Sequence, residues 1–210
     1  MTEIVVLDIK YRINEEDNMA VVFSPAYTDL TDVVLVKSVR VGAKEYHVGE
    51  IADFAFYCYD SLKSVEIPRG ITKIGSFSFF GCSGLQSIKI PDSVTDIGDC
   101  AFTECCRLRS IVVDSRNVIY DSRNDCNAII ETETNRLVLS CKTSAIPDCV
   151  TFAYDGAISQ VEKTNTTPLL NRIMRIGKYK LSVFSEVSTT EIIGTTDIVQ
   201  RCLVTVCMVH

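Results

Sequence analysis

The chain has no tryptophan, two histidines and five prolines in 210 residues, and the scarcity of histidine bears first on catalysis. A nucleophilic hydrolase needs a base within hydrogen-bond reach of its serine or cysteine. His47 sits in an expected hairpin, His210 is the last residue, and neither lies in a recognisable motif with a nucleophile. No cysteine pair has the short C-x2-C spacing of a zinc knuckle; Cys100 and Cys105, like Cys202 and Cys207, have four residues between them. No apolar run approaches the roughly 20 residues that cross a bilayer, and the longest, Cys202 to Val209, is of strand length. There is no basic stripe, since 21 Lys+Arg face 27 Asp+Glu for a net charge of −6, so nucleic acid is not an expected partner. Gly81-Cys82-Ser83-Gly84 is not followed by the Lys-Ser/Thr of a phosphate loop. At the N-terminus only Ile4 to Leu7 is apolar, with no cationic start and no cleavage site. Either the chain stays inside the cell or it is a mature form whose leader has been removed.

What is present reads as an ordinary globular chain, with 47% hydrophobic and 23% charged residues, which excludes disorder and collagen. Ten cysteines exceed the usual share, yet fall short of the density of a disulfide scaffold.

The dominant signal is an internal repeat. From Ile51 the segment IADFAFYCYDSLKSVEIPRGITK is followed by IGSFSFFGCSGLQSIKIPDSVTD and then by IGDCAFTECCRLRSIVV, in a strict 23-residue register. Ile51, Ile74 and Ile97 share a column, as do Phe56, Phe79 and Phe102, then Leu62, Leu85 and Leu108, then Val65, Ile88 and Ile111. Leu62, Val65 and Ile67 give L-x-x-V-x-I, whose alternation predicts a short half-buried strand ended by Pro68. The other half, with Ala55-Phe56, Ser78-Phe79 and Ala101-Phe102, predicts one helical or 3₁₀ turn facing the strand. Each unit is then one coil of a solenoid with short parallel strands. Burial of its few apolar side chains does not outweigh the entropy of ordering so many backbones, so stability comes from stacking coils.

The period fades at both ends. Pro147, Asp148, Val150 and Thr151 repeat Pro91, Asp92, Val94 and Thr95, predicting a fourth coil after an insertion. Within residues 114–146, Ala128-Ile129-Ile130 and Leu137-Val138-Leu139 predict a hairpin. Val33 to Val39 reads as a degraded coil, with a hairpin over 39–48 turning at Gly42, and residues 3–23 as a hairpin capping the open end. The expected division is an N-terminal cap over 1–30, a repeat region over 31–160 and a C-terminal cap or irregular tail over 161–210.

Ile74-Gly75, Ser78-Phe79, Cys82, Leu85, Ile88, Ile90 and Pro91 resemble the BspA-like leucine-rich repeats of bacterial surface proteins. The resemblance covers about residues 30–160. It implies a right-handed leucine-rich-repeat solenoid with inserted β-hairpins, and a surface or secreted protein that recognises other macromolecules.

Strand positions between the buried ones are expected to face outward on the concave sheet: Ser64 and Glu66, Ser87 and Lys89, Ser110 and Val112. This face is the candidate site for a protein or glycan partner, because solenoids offer an extended binding surface there; the plainer reading is curvature-tolerant serines and a Glu66 to Lys89 charge pair. Cys82 and Cys105 share a column and read as small buried fillers, although stacked coils bring such pairs near enough to ask about a bridge. Phe56, Phe79 and Phe102 read as core, while the neighbours Tyr57 and Phe80 either pad the surface or anchor a partner. No cofactor, metal or catalytic residue is called for. The leading reading is a non-catalytic recognition or adhesion module, with a ligand-free spacer second and a thiol hydrolase third.

Overall fold

The computed structural model describes residues 2–150, 152, 153 and 157. Three antiparallel strands come first: β1 (Thr2–Val6), β2 (Ile9–Asn14) and β3 (Met19–Pro25). The segment 3–23, expected as one hairpin, therefore holds two. The added corner lies at Leu7 and Asp8, both left-handed with φ of 48° and 63°, the backbone that a tight two-residue hairpin turn demands. Ile9, Tyr11 and Ile13 alternate into the core from β2, joined by Ala20 and Val22 from β3.

The repeat then lays down two parallel ladders. β4 (Asp32–Val34), β7 (Ser64–Glu66), β9 (Ser87–Ile90) and β11 (Ser110–Val113) form one, in the order β11-β9-β7-β4. β5 (Ser38–Val41) and β6 (Lys44–Ile51) are an antiparallel hairpin turning at Gly42, whose φ of 61° suits glycine. β6 also starts the second ladder, pairing in parallel with β3 on one side and β8 (Lys73–Ile74) on the other, with β10 (Asp96–Ile97) beyond. This second ladder was not legible, because a two-residue strand has no alternation to read. Asp32 and Ser64, paired across β4 and β7, are 32 residues apart in sequence rather than 23; the hairpin inserted between them accounts for the difference.

Between the ladders each coil turns by an alternating hydrogen-bond pattern. The amides of Ala55, Tyr57 and Tyr59 donate within the turn, to the carbonyls of Ala52, Phe54 and Phe56. Those of Phe54, Phe56 and Cys58 instead donate to Ser76, Ser78 and Phe80 of the next coil, at 2.7 to 3.0 Å. One coil on, Phe77, Phe79 and Gly81 do the same to Asp99, Ala101 and Thr103. The turn is thus not the helical or 3₁₀ turn expected, since a helix keeps its amides for its own carbonyls; the 3₁₀ helix found among the described residues is Arg123–Asp125. Sending every second amide to a neighbour needs left-handed residues at two columns. Phe54, Phe77 and Cys100 have φ of 60°, 55° and 53°, and Cys58, Gly81 and Glu104 have φ of 54°, 71° and 63°. That conformation costs a non-glycine residue about 1–2 kcal/mol, offset here by the bonds that it aims across the coils.

Inside, Phe79 stacks on Phe56 at 5.0 Å between ring centroids and on Phe102 at 5.2 Å, with planes within 7° and 2° of parallel. All three rings are buried, as are the Leu62, Leu85, Leu108 and the Val65, Ile88, Ile111 columns. A small-residue column, Ala55, Ser78 and Ala101, lets the turns approach, and the buried Ser78 hydroxyl has no hydrogen-bond partner. Gly75 and Gly98 are set by contact with the coil before. A Cβ on Gly75 would lie 2.5 Å from the Asp53 amide nitrogen, and one on Gly98 2.5 Å from that of Ser76. Ala52, one coil earlier in the same column, precedes that stacked pair of turns and keeps its methyl.

The insertion contains β12 (Tyr120–Asp121), β13 (Ala128–Glu131) and β14 (Arg136–Ser140), the last two an antiparallel hairpin. Beyond it the repeat signature returns: Val150 donates to Pro147 as Val94 does to Pro91. The strand that follows, β15 (Phe152–Ala153), pairs in parallel with β14 and not with the ladders. The returning coil is therefore seated on the insertion, over a small second core of Cys126, Ile130, Leu137, Val150 and Ala157. Ala157, which stands where Ala101 does in the repeat, is buried; Ile158, expected in the place of Phe102, and the expected cap or tail over 161–210 lie outside the described residues.

Phe79→Ala removes a ring packed on both sides and is expected to cost about 3–5 kcal/mol, read as a lower midpoint in urea unfolding; a loss below about 1 kcal/mol would contradict the stacked spine. Gly75→Ala forces a methyl into the backbone of the preceding coil and is expected to destabilise by about 1–3 kcal/mol, whereas Ala52→Gly in the same column should cost less than that.

Candidate functional site

The six residues singled out on the strands do form one surface. Ser64 pairs with Ser87 and Ser87 with Ser110, so the serines make a row that Asp32 continues on β4. The second row holds Val34, Glu66, Lys89 and Val112, with Val34 opposite Glu66 and Lys89 opposite Val112. Between the rows, Val33, Val65, Ile88 and Ile111 are buried, and period-2 alternation leaves both rows on the opposite face.

Electrostatically the face is nearly uncommitted. Ser64 Oγ donates to Asp32 Oδ1 at 2.5 Å and Thr31 Oγ1 to Oδ2 at 2.8 Å. These bonds, Ser64 first, hold the Asp32 carboxyl below the usual carboxylate range. Glu66 and Lys89 are exposed and no ion pair within 4 Å joins them, so the simple charge pair is not formed. Val34 and Val112 are 51% and 47% exposed at the two ends of their row, an apolar frame around one acid and one base. Where the strands leave the face, charges are bound to each other: Arg69 reaches Asp92 at 3.3 Å and Asp114 at 3.4 Å, and Arg116 reaches the same two at 3.5 and 3.1 Å. That cluster stitches successive coils and leaves the rows as the free polar surface.

The cysteine column is structural. Cys82 Sγ donates to the Phe56 carbonyl at 3.1 Å and Cys105 Sγ to that of Phe79 at 3.3 Å, each reaching back one coil. Both are free and buried. Burial pushes the Cys82 thiol up to about 12 and the Cys105 thiol well above its ordinary value, the reverse of a nucleophile. In the glycine-rich turn, Ser83 Oγ is bound to Asp60 at 2.9 Å. His47 lies on β6 with its amide on the Asn18 carbonyl, and no group of three metal-binding side chains occurs among the described residues. His210 lies outside them.

Tyr57 and Phe80, singled out as surface candidates, belong to a larger aromatic patch whose other half, Phe54 and Phe77, the sequence reading did not reach. Phe54 stacks on Phe77 at 5.2 Å and Tyr57 on Phe80 at 5.2 Å, and the two pairs touch at 5.7 Å. Phe54 and Tyr57 are 57% and 42% exposed, while Phe80 is buried. The signal was the column itself: Phe54 and Phe77 stand at the left-handed position, whose side chain leaves the turn opposite to the buried Phe56 and Phe79.

Residues 49–151 match the BspA type leucine rich repeat region in six copies. No curated protein matches the chain significantly. Among solved structures, a leucine-rich repeat protein from Bacteroides capillosus is similar with a TM-score of 0.52 at 18% identity, over 73% of this chain and 98% of that one. A leucine rich cell surface protein from Faecalibacterium prausnitzii is similar over 72% of this chain and 66% of its own, at 17% identity and a TM-score of 0.31. The pneumococcal vaccine antigen PcpA is similar over 77% and 63%, at 12% identity and a TM-score of 0.44. Native-state alkylation separates the two kinds of thiol. Iodoacetamide is expected to label the exposed Cys58 and Cys149 and to spare Cys82 and Cys105 until denaturant is added, read by peptide mass spectrometry; rapid labelling of Cys82 in the folded chain would refute its structural role.

Proposed function

Residues 49–151 belong to the BspA-type leucine-rich repeat family, and from that premise we propose that this chain is a non-catalytic recognition module whose outer sheet face holds a protein partner at a cell surface. The observation that carries this reading is the pair of rows, Ser64, Ser87 and Ser110 beside Glu66, Lys89 and Val112. They are presented in register by rigid strands, and neither Glu66 nor Lys89 is used by the fold. Repeat modules of this family are generally interaction domains, and their stacked strands give a flat array of side chains that varies without disturbing the core. A surface built of short polar side chains, one acid, one base and two exposed valines suits a mixed protein surface. A glycan would instead want aromatic rings to stack on, and those lie on the turns, at Phe54 and Tyr57. The division into a cap over 1–30, a repeat region and hairpins at 39–48 and 114–146 is part of the same proposal, with the hairpins supplying rim contacts.

No helix among the described residues is long and apolar enough to cross a membrane, so the proposed surface location rests on the family and not on a span. The test begins with capture of a partner from the native environment and its identification by mass spectrometry. The double variant Glu66→Ala/Lys89→Ala is expected to weaken that partner at least tenfold while moving the melting temperature little, because neither side chain is packed. Equal affinity for wild type and double variant would remove the sheet face from the function.

A further inference from the structure

β11 is the last strand of the parallel ladder, and its outer edge is only partly closed. Arg109, Ser110 and Asp114 donate back to Gln86 and Ile90 of the preceding coil, so in a parallel ladder the carbonyl of Arg109 and the main-chain groups of Ile111 and Val113 point the other way. Where a following strand would begin, a side chain stands in for it. Asn127 Oδ1 accepts from the Ile111 amide at 2.6 Å, and its Nδ2 donates to the Arg109 carbonyl at 2.8 Å. One carboxamide thus reproduces the donor and acceptor of a strand residue. The ladder then stops: among the described residues nothing bonds the Ile111 carbonyl or the amide and carbonyl of Val113. These groups line an open cleft of about 620 Å³ between β11 and the segment Tyr120 to Asn127, walled on the far side by Asp121 and Arg123, which are tied to each other at 2.6 Å.

We propose that this edge takes an extended segment of a partner protein as a fifth parallel strand, seated in the cleft. The pattern of free groups specifies the occupant. A main-chain N–H donates to the Ile111 carbonyl, the same residue's carbonyl accepts from the Val113 amide, and the amide two residues later donates to the Val113 carbonyl. That is the arrangement by which β11 itself sits on β9, moved on by one coil. Native sheets usually guard such an edge with lysine, proline or a bulge; Ser110-Ile111-Val112-Val113 carries none of these. Asn127 fixes where the added strand starts, and the displaced fourth coil leaves the space for it, since the strand that would have followed is seated on β14 instead. Because recognition here uses backbone groups at the edge, it is separate from the side chains of the outer face. Strand addition of this kind draws affinity from the main chain and selectivity from alternate side chains.

The probe is a fluorescein-labelled synthetic peptide with the sequence of residues 107–114, the segment that already fits this ladder, titrated with the full chain by fluorescence polarisation. Saturable binding is expected, weakened at least tenfold when the peptide is N-methylated at its Val112 position, which deletes the donor to Ile111 without touching the protein. Methylation at its Ile111 position, whose amide faces away from β11, is expected to change affinity less than threefold. Val113→Pro, which removes the protein's donor at an edge where proline is tolerated, is expected to weaken binding at least fivefold with a two-state melt retained. Absence of saturable binding, or equal affinity for both methylated peptides, overturns the proposal whether or not Val113→Pro folds. Sedimentation showing a dimer that N-methylated peptide cannot disrupt but Val113→Pro abolishes would assign the edge to a second copy of the chain and overturn it equally.

Discussion

The structure depends on the division of each turn's amides between its own coil and the next. A backbone N–H buried without a partner is costly, and a chain that coils through residues 52–62 without helix or long strand has many to place. Half are placed at home, Tyr57 on Phe54 and Tyr59 on Phe56, and half abroad, Phe56 on Ser78 and Cys58 on Phe80. No coil is complete until its neighbour is in place. The phenylalanine spine, the thiols that reach back to Phe56 and Phe79, and the glycines forced by contact with the coil before are consequences of holding that register.

Interruptions of the period show the same constraint from the other side. Where a coil is missing, asparagine side chains supply the absent backbone. Asn117 donates to the carbonyls of Pro91 and Val94 and accepts from the amides of Ile119 and Tyr120, closing the turn of the last regular coil. Asn127 closes the first rung of β11. An amide side chain has the donor and acceptor geometry of a peptide group, which lets an insertion end a ladder without leaving its main chain bare throughout.

Rigidity of this kind frees the outward side chains. The turns are committed to the next coil and the exits of the strands to the Arg69, Asp92, Asp114 and Arg116 cluster, so the face between them is the part of the surface that the fold does not use. A recognition function is the natural reading of such a division. The buried thiols of Cys82 and Cys105 fit it, since burial holds them protonated.

The sequence by itself determined the repeat and its core. The 23-residue register put Phe56, Phe79 and Phe102 in one column, and any stacking that buries a column of identical rings must lay coil on coil. The serine and charge rows followed from strand alternation after Leu62, Leu85 and Leu108. Tertiary structure alone decided what a residue does when its partner is remote in the chain. The two-residue ladder at Ile51, Ile74 and Ile97, the left-handed Phe54 and Phe77 with the exposed Phe54 ring, and the seating of the fourth coil on the insertion all arise from hydrogen bonds between segments 16 or more residues apart. Local propensity is blind to those bonds, because it weighs a residue against its neighbours in sequence and not against the coil that lies on it.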